Sequence, residues 1–245
     1  MQLVSVVLQI ILESLPISSS GHMQLLGASL PDYVDRLASG ATSMVLLLYF
    51  FKDISWGMYY FFNNLKKIIS FLLLIVMADS ATVFFYTIFK KYAINFPLWC
   101  GFLITAVALI SVRLSSEKKD RPVTYGAFLF LGVVQGFASL PGISRLASTY
   151  AAGCLIGFSP KISFGLSCAL QFPLFIAGFL EGVATAYQKN ILWTFHIFDI
   201  VFIMGAMLIS YFLLWLVAYC MKKKMIWYVG WYLLIPALIA YMRGI

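Results

Sequence analysis

The sequence has 245 residues, of which 62% are hydrophobic and only 11% are charged, and its mean hydropathy is +0.95. A water-soluble domain is about 45–50% apolar, so this composition excludes one. The net charge of +8 does not indicate nucleic-acid binding, because the basic residues fall in short clusters between apolar segments, as in membrane loops. The four cysteines are scattered singly, without the spacing of a zinc site or a disulfide framework. The sequence therefore predicts a polytopic helical membrane protein.

The first apolar segment, residues 1–12, is too short to cross a hydrocarbon core that is about 30 Å thick. It runs directly into Glu13, Pro16 and the serines at 18–20, which oppose the continuation of a helix in lipid. Irregular backbone persists at membrane depth only where protein or a wet cavity surrounds it. We therefore predict a re-entrant helical hairpin whose return arm covers about residues 22–30.

The rest of the first half contains three apolar segments that approach the length of a membrane span, at residues 37–51, 68–89 and 96–112. Residues 56–67 predict an interfacial segment, because Trp and Tyr favour the headgroup level. The polar loop at 113–121 separates this half from a second one with the same pattern. The second half predicts a hairpin at about 123–158 and spans at about 162–187, 197–221 and 225–242.

The two hairpins share a short repeat. Residues 9–18 read QIILESLPIS and residues 135–144 read QGFASLPGIS, so both contain Gln, Ser-Leu-Pro and Ile-Ser. Three spans per half place the second copy in inverted orientation, and inverted repeats hold their sites near the midplane. The prediction is an all-α polytopic membrane protein with about six transmembrane helices plus two re-entrant helical hairpins. It forms a single membrane domain, 1–245, of two inverted halves at about 1–120 and 121–245.

The distribution of basic residues predicts the orientation. One side of the membrane carries more of them, including the 113–121 loop and the lysines at 222–224. The richer side is expected to be cytoplasmic. Both termini and the mouth of the first hairpin then face outward, to the periplasmic or extracellular side of the cell (inner) membrane.

If the hairpins meet at the midplane, Glu13, His22, the serines at 18–20 and Arg145 face one cavity. A lone arginine at that depth is costly unless it is paired or bound to an anion, and its planar fork suits phosphate. Ser144, Ser148 and Thr149 add hydroxyl groups, and Gly142 lets the backbone approach a ligand closely.

The first hairpin supplies groups for phosphoryl transfer. Gln9 and Glu13 lie four residues apart on one helical face, so their oxygens predict a site for a divalent cation, Mg²⁺ or Ca²⁺, that bridges phosphate oxygens. His22 can act as acid, base or nucleophile, and the serines can attack phosphorus or donate hydrogen bonds to it. In such chemistry, positioning and charge neutralisation supply most of the rate.

The two stretches resemble the paired signatures of the undecaprenyl-diphosphate phosphatase family of the bacitracin-resistance type. These signatures are an (E/Q)xxxE followed by LPxSSxGH, and a PGxSRSxxT. In this chain they read Gln9-xxx-Glu13, LPISSSGH at 15–22 and PGISRLAST at 141–149. Leu146 stands where the family usually has serine, and Gln9 leaves one carboxylate in the first motif.

The resemblance implies a membrane enzyme that converts undecaprenyl (polyprenyl) diphosphate to the monophosphate plus phosphate, recycling the lipid carrier for cell-wall synthesis. It implies that Glu13 and Gln9 hold the cation, that Ser19 or His22 attacks phosphorus, and that Arg145 binds phosphate. The candidate substrate-binding residues are Gln9, Ser18, Ser20, Gly21, Gly142, Ser144, Ser148 and Thr149.

An alternative function uses the same cavity for transport: a flippase or transporter of a lipid-linked phosphate. The expected partners are the polyprenyl diphosphate and membrane lipids, with room for a homodimer and no nucleic acid. Asp79, Gln171 and Glu181 lie within apolar segments. Asp79 and Glu181 are each interpreted either as a polar residue partnered between helices or as part of a cavity wall, and Gln171 is interpreted as a polar group of the cavity.

Overall fold

The computed structural model describes residues 2–61, 65–92, 95–115, 124–190 and 196–245. Over these ranges the chain is all helical, with ten α-helices and one 3₁₀ turn at Val112–Leu114. The helices are α1 (Gln2–Glu13), α2 (Ser19–Leu25), α3 (Asp32–Phe61), α4 (Leu65–Lys91), α5 (Leu98–Ser111), α6 (Tyr125–Phe137), α7 (Arg145–Leu155), α8 (Pro160–Gln188), α9 (Ile197–Lys222) and α10 (Trp227–Met242).

Four helices among the described residues are long and apolar enough to cross a membrane: Asp32–Phe51 within α3, Ile68–Lys91 within α4, and α8 and α9. The chain is therefore a multi-pass membrane protein. The third and sixth predicted spans correspond to α5 and α10, which have 14 and 16 residues. At 1.5 Å per residue they reach only about 21 and 24 Å, less than the hydrocarbon core of about 30 Å.

Two predicted surface segments fall partly outside the described residues. The predicted interfacial segment at 56–67 is helical as far as Phe61, where α3 ends, and residues 62–64 lie outside the described ranges. The polar loop at 113–121 is described only as far as Ser115.

Each predicted hairpin is a helix–turn–helix unit. Residues 14–18 join α1 to α2, and residues 138–144 join α6 to α7. The first return helix starts at residue 19 rather than 22, because the Ser18 side chain caps it by accepting a hydrogen bond from Gly21 N at 3.4 Å. Ser144 caps α7 in the same way, from Ala147 N at 3.3 Å.

Helices of the first half pack directly on helices of the second. The pair α3 and α8 and the pair α5 and α10 are both in contact. Two contacts recur between equivalent helices. The packing of α4 on α6 is matched by the packing of α9 on α1, and the packing of α5 on α7 is matched by the packing of α10 on α2. The two sets of five helices therefore interleave, and this brings the two hairpin turns together.

Candidate functional site

The Glu13 carboxylate, at the end of α1, is the most enclosed charge of the site. Its side chain is 6% exposed. The hydroxyl of Thr42 on α3 donates to Glu13 Oε2 at 2.5 Å, and Arg145 Nη2 on α7 lies 3.7 Å from Glu13 Oε1. A buried carboxylate needs such partners because leaving water is costly for a charge. Three helices from both halves of the chain therefore meet at one carboxyl group.

Arg145 is the more accessible partner, with 34% of its side chain exposed. Its guanidinium carbon lies 5.0 Å from the centroid of the Phe175 ring, a cation–π arrangement. A guanidinium carries five N–H donors, and one ion pair at 3.7 Å does not use them all. Arg145 is thus oriented by Glu13 and Phe175 and keeps donors for an anion.

Both hairpin turns line a small cavity beside this ion pair. Its volume is about 40 Å³, several times the roughly 10–15 Å³ that one buried water molecule needs. The turns touch each other, since a Cβ added at Gly21 would lie 3.1 Å from Gly142 Cα. The residues predicted for the site that line this cavity are Glu13, Ser18, Ser19, Ser20, Ser144 and Arg145.

A larger cavity of about 290 Å³ adjoins the small one and shares Glu13, Arg145 and Phe175 with it. Most of its wall is polar and comes from the start of α3 and the end of α4: Asp32, Asp35, Arg36, Ser39 and Tyr86. Arg36 forms an ion pair with Glu181 and donates to the Tyr86 hydroxyl at 3.4 Å. Arg145 therefore borders a roomier polar space, which also carries the carboxyl groups of Asp32 and Asp35.

The ring of His22 is directed away from this cavity. Its Nδ1 lies 3.0 Å from the Ser18 carbonyl oxygen and its Nε2 lies 3.1 Å from the Tyr232 hydroxyl on α10. The ring also packs edge-on against Phe102, with centroids 5.0 Å apart. His22 is not among the residues that line either polar cavity. Both ring nitrogens are engaged, so this imidazole holds the Ser18 turn in place.

Gln9 is buried and contacts the serine turn. Its Nε2 donates to Ser19 Oγ at 3.4 Å, and its Oε1 is buried without a hydrogen-bond partner among the described residues. An unpartnered amide oxygen one helical turn from the Glu13 carboxylate fits a hard divalent cation, which takes oxygen ligands. The described residues contain no group of three acidic, His or Cys side chains able to hold a metal. Phosphate oxygens and water would therefore have to complete the coordination.

Two predicted phosphate donors on α7 are placed elsewhere. The Thr149 hydroxyl donates to the Arg145 carbonyl oxygen at 2.7 Å, within its own helix. Ser148 Oγ is buried and has no hydrogen-bond partner in the part of the chain that the structure describes. Neither residue lines the two polar cavities.

The sequence did not predict the wall of the larger cavity, and it left three residues close to Glu13 without a role: Thr42, Gln171 and Phe175. All three line cavities that also contain Glu13. Thr42 could have been predicted as a site residue, because it is a hydroxyl residue within an apolar span. Nothing in the sequence distinguishes Phe175 from the other aromatic residues. Asp79 lies apart, on the wall of an apolar groove between α3, α4 and α8.

The hydrogen bonds of His22 predict its tautomer. The Ser18 carbonyl can only accept, so the neutral ring carries its proton on Nδ1, and Nε2 accepts from Tyr232. The chain has two histidines, so ¹⁵N NMR of labelled protein, with His196→Gln to assign the signals, can check this. We expect an Nδ1–H tautomer whose Nε2 signal shifts in Tyr232→Phe. A proton on Nε2, or no shift in that variant, would contradict the geometry.

Sequence comparisons agree with the resemblance of the two motifs. The protein family described as "Bacitracin resistance protein BacA" matches residues 2–239. Undecaprenyl-diphosphatase 2 of Agrobacterium fabrum is 29% identical over 205 aligned positions, which cover 75% of this chain and 73% of that protein. Undecaprenyl-diphosphatase 2 of Bacillus thuringiensis is 26% identical, with 91% and 89% covered. Undecaprenyl-diphosphatase of Borrelia hermsii is 27% identical, with 96% and 94% covered.

Proposed function

The chain belongs to the bacitracin resistance protein BacA family, and from this premise we propose that it hydrolyses undecaprenyl diphosphate to the monophosphate plus phosphate. One observation carries the proposal. The two motifs of the halves converge, so that Glu13, Ser19 and Arg145 line a single polar cavity. These are the groups needed to bind a terminal phosphate, neutralise its charge and attack its phosphorus.

Arg145 and the start of α7 bind the terminal phosphate. The guanidinium is held by Glu13 and Phe175 with donors to spare. Ser144 and Leu146 line the same cavity, so the first turn of α7 borders it and its helix dipole favours an anion there. Fixed donors of this kind stabilise the charge that develops in the transition state without reorganisation.

Ser19 is the better nucleophile of the two that the motif offers, because both ring nitrogens of His22 are engaged. Ser19 Oγ attacks the terminal phosphorus, and the bond from phosphorus to the bridging oxygen breaks. The serine proton passes through Glu13 to the departing monophosphate. Water then attacks the phosphorus of the phosphoserine and gives one proton to Glu13. The bond from phosphorus to Ser19 Oγ breaks, and Glu13 passes the proton to Oγ, so that phosphate and the Ser19 hydroxyl result.

A divalent cation is proposed to assist, with Glu13 and Gln9 Oε1 as its protein ligands. When bound, Mg²⁺ or Ca²⁺ would neutralise charge on the phosphate oxygens. The chain itself contributes one carboxylate and one amide oxygen to this task. Cation affinity should therefore depend strongly on residue 9.

The matched helix contacts, α4–α6 with α9–α1 and α5–α7 with α10–α2, support an inverted repeat with two re-entrant hairpins. We also predict that the chain forms a single membrane domain in the inner membrane, with the mouth of the site facing outward. Membrane lipids around it and a second copy of the chain in a homodimer are further predictions.

Ser19→Ala and Arg145→Ala should each lower the rate of phosphate release from undecaprenyl diphosphate in detergent by about 10²-fold or more. The first removes the nucleophile and the second a fixed charge at the transition state. Ser70→Ala and Arg113→Ala are matched controls outside the site, since Ser70 bonds its own helix and Arg113 lies over Trp227. Full activity in both site variants would overturn the assignment. Movement of labelled lipid between leaflets without phosphate release would favour the transporter alternative.

Gln9→Glu should lower the Mg²⁺ or Ca²⁺ concentration needed for half-maximal activity, because a second carboxylate strengthens an oxygen site for a hard cation. Gln9→Ala should raise that concentration. Titration of metal-stripped protein with each ion measures both effects. An identical metal dependence in the wild type and both variants would contradict a role for residue 9 in cation binding.

A further inference from the structure

A second, much larger cavity lies outside the phosphate site, as a groove bounded by α3, α4 and α8. Its volume is about 1400 Å³, above the roughly 300–1,000 Å³ of most small-molecule sites. It follows α8 from Lys161 to Leu180, about 28 Å at 1.5 Å per residue. Its wall is mainly aliphatic and aromatic, with Leu47, Val76 and Phe172 among its residues. The dimensions and the wall suit a long apolar chain.

The wall of the groove carries one acidic residue, Asp79, among its apolar side chains. Asp79 stands near the middle of α4, and its Oδ1 is buried without a hydrogen-bond partner among the described residues. Ionisable residues in membrane helices almost always face the bundle interior or a cavity rather than lipid. The groove therefore reaches the buried side of α4 at Asp79 and is open at its side, where Leu72 and Phe84 are exposed.

The groove adjoins the phosphate site at two places. Leu46 and Cys168 line both the groove and a small cavity that reaches Glu13. Leu174 lines both the groove and the 290 Å³ cavity that contains Arg145. The groove and the cavity that contains Arg145 are therefore direct neighbours that share a wall at Leu174.

Building on the proposed function, we propose that this groove holds the polyprenyl chain of the diphosphate substrate. Acyl chains of the bilayer are as apolar as a polyprenyl chain, so burial alone gives no preference between them. The diphosphate supplies the preference, because binding at Glu13 and Arg145 tethers the chain beside the groove and raises its local concentration. The tethered chain of a long substrate lies along the groove, so an obstruction in the groove hinders long-chain substrates more than short-chain ones.

Gly165 provides a direct test. It lines the groove, and a Cβ added there would meet no atom within 4 Å, so a side chain at this position starts in open space beside the groove. Gly205 on α9 is a matched control, since its added Cβ also meets nothing and it does not line the groove. The comparison is therefore Gly165→Trp against Gly205→Trp.

The measurement is KM and kcat for undecaprenyl diphosphate and for farnesyl diphosphate, in the same detergent and with Mg²⁺. In Gly165→Trp, KM for the undecaprenyl substrate should rise roughly tenfold, with KM for the farnesyl substrate changed less than about twofold. Gly205→Trp should keep the wild-type ratio. Hydrolysis of both substrates with an unchanged ratio in Gly165→Trp would overturn the groove assignment alone. Absence of hydrolysis by the wild-type protein would overturn the proposed function, and the groove assignment with it.

If Gly165→Trp does not fold, the wild-type chain gives the answer through photo-cross-linking. The probe is an undecaprenyl diphosphate with a diazirine at the far end of its chain. Labelling of α4 and α8 peptides that line the groove, competed by unlabelled substrate, supports the assignment. If excess phospholipid removes the labelling and unlabelled substrate does not, the groove is a site for bilayer lipid, and the groove assignment is overturned.

Discussion

The buried carboxylate of Glu13 is the constraint on which the site depends. A charge enclosed to this degree is tolerated only with close partners, and its partners here come from two other helices, through Thr42 and Arg145. Satisfying one carboxyl group therefore requires α1, α3 and α7 to meet. The interleaved packing of the two halves makes that meeting possible, and it brings the serine turn to the same place.

The residues around Glu13 differ in how far they are exposed, and their roles differ accordingly. Arg145 is partly exposed and faces the polar cavities, whereas His22 is buried and fixed between Ser18 and Tyr232. In the proposed mechanism the charged group meets the substrate, and the imidazole positions the turn that carries Ser19. Beyond Leu174 the wall becomes apolar, so a polar headgroup site and a chain-sized groove lie side by side, as an amphiphilic substrate requires.

The sequence predicted the helices and the two motifs well, because apolar segment length and the rarity of intramembrane charge are local properties of the chain. Glu13 and Arg145 were found in this way, and the structure places them together. The direction of the His22 ring and the role of Thr42 were not predictable, since both depend on which distant helix packs alongside. The start of α2 was missed because a serine cap at residue 18 was not recognised. The short lengths of α5 and α10 likewise depend on where the chain turns.

The most direct test of the central claim is a double-mutant cycle on thermal unfolding in detergent with Glu13→Gln, Arg145→Gln and the double variant. If the two hairpins bring these charges together, removing both should cost less stability than the sum of the single losses. We predict a coupling of at least about 1 kcal/mol, within the range for interacting residues. Losses that add to within about 0.5 kcal/mol would show that the two charges do not interact, and would contradict the account.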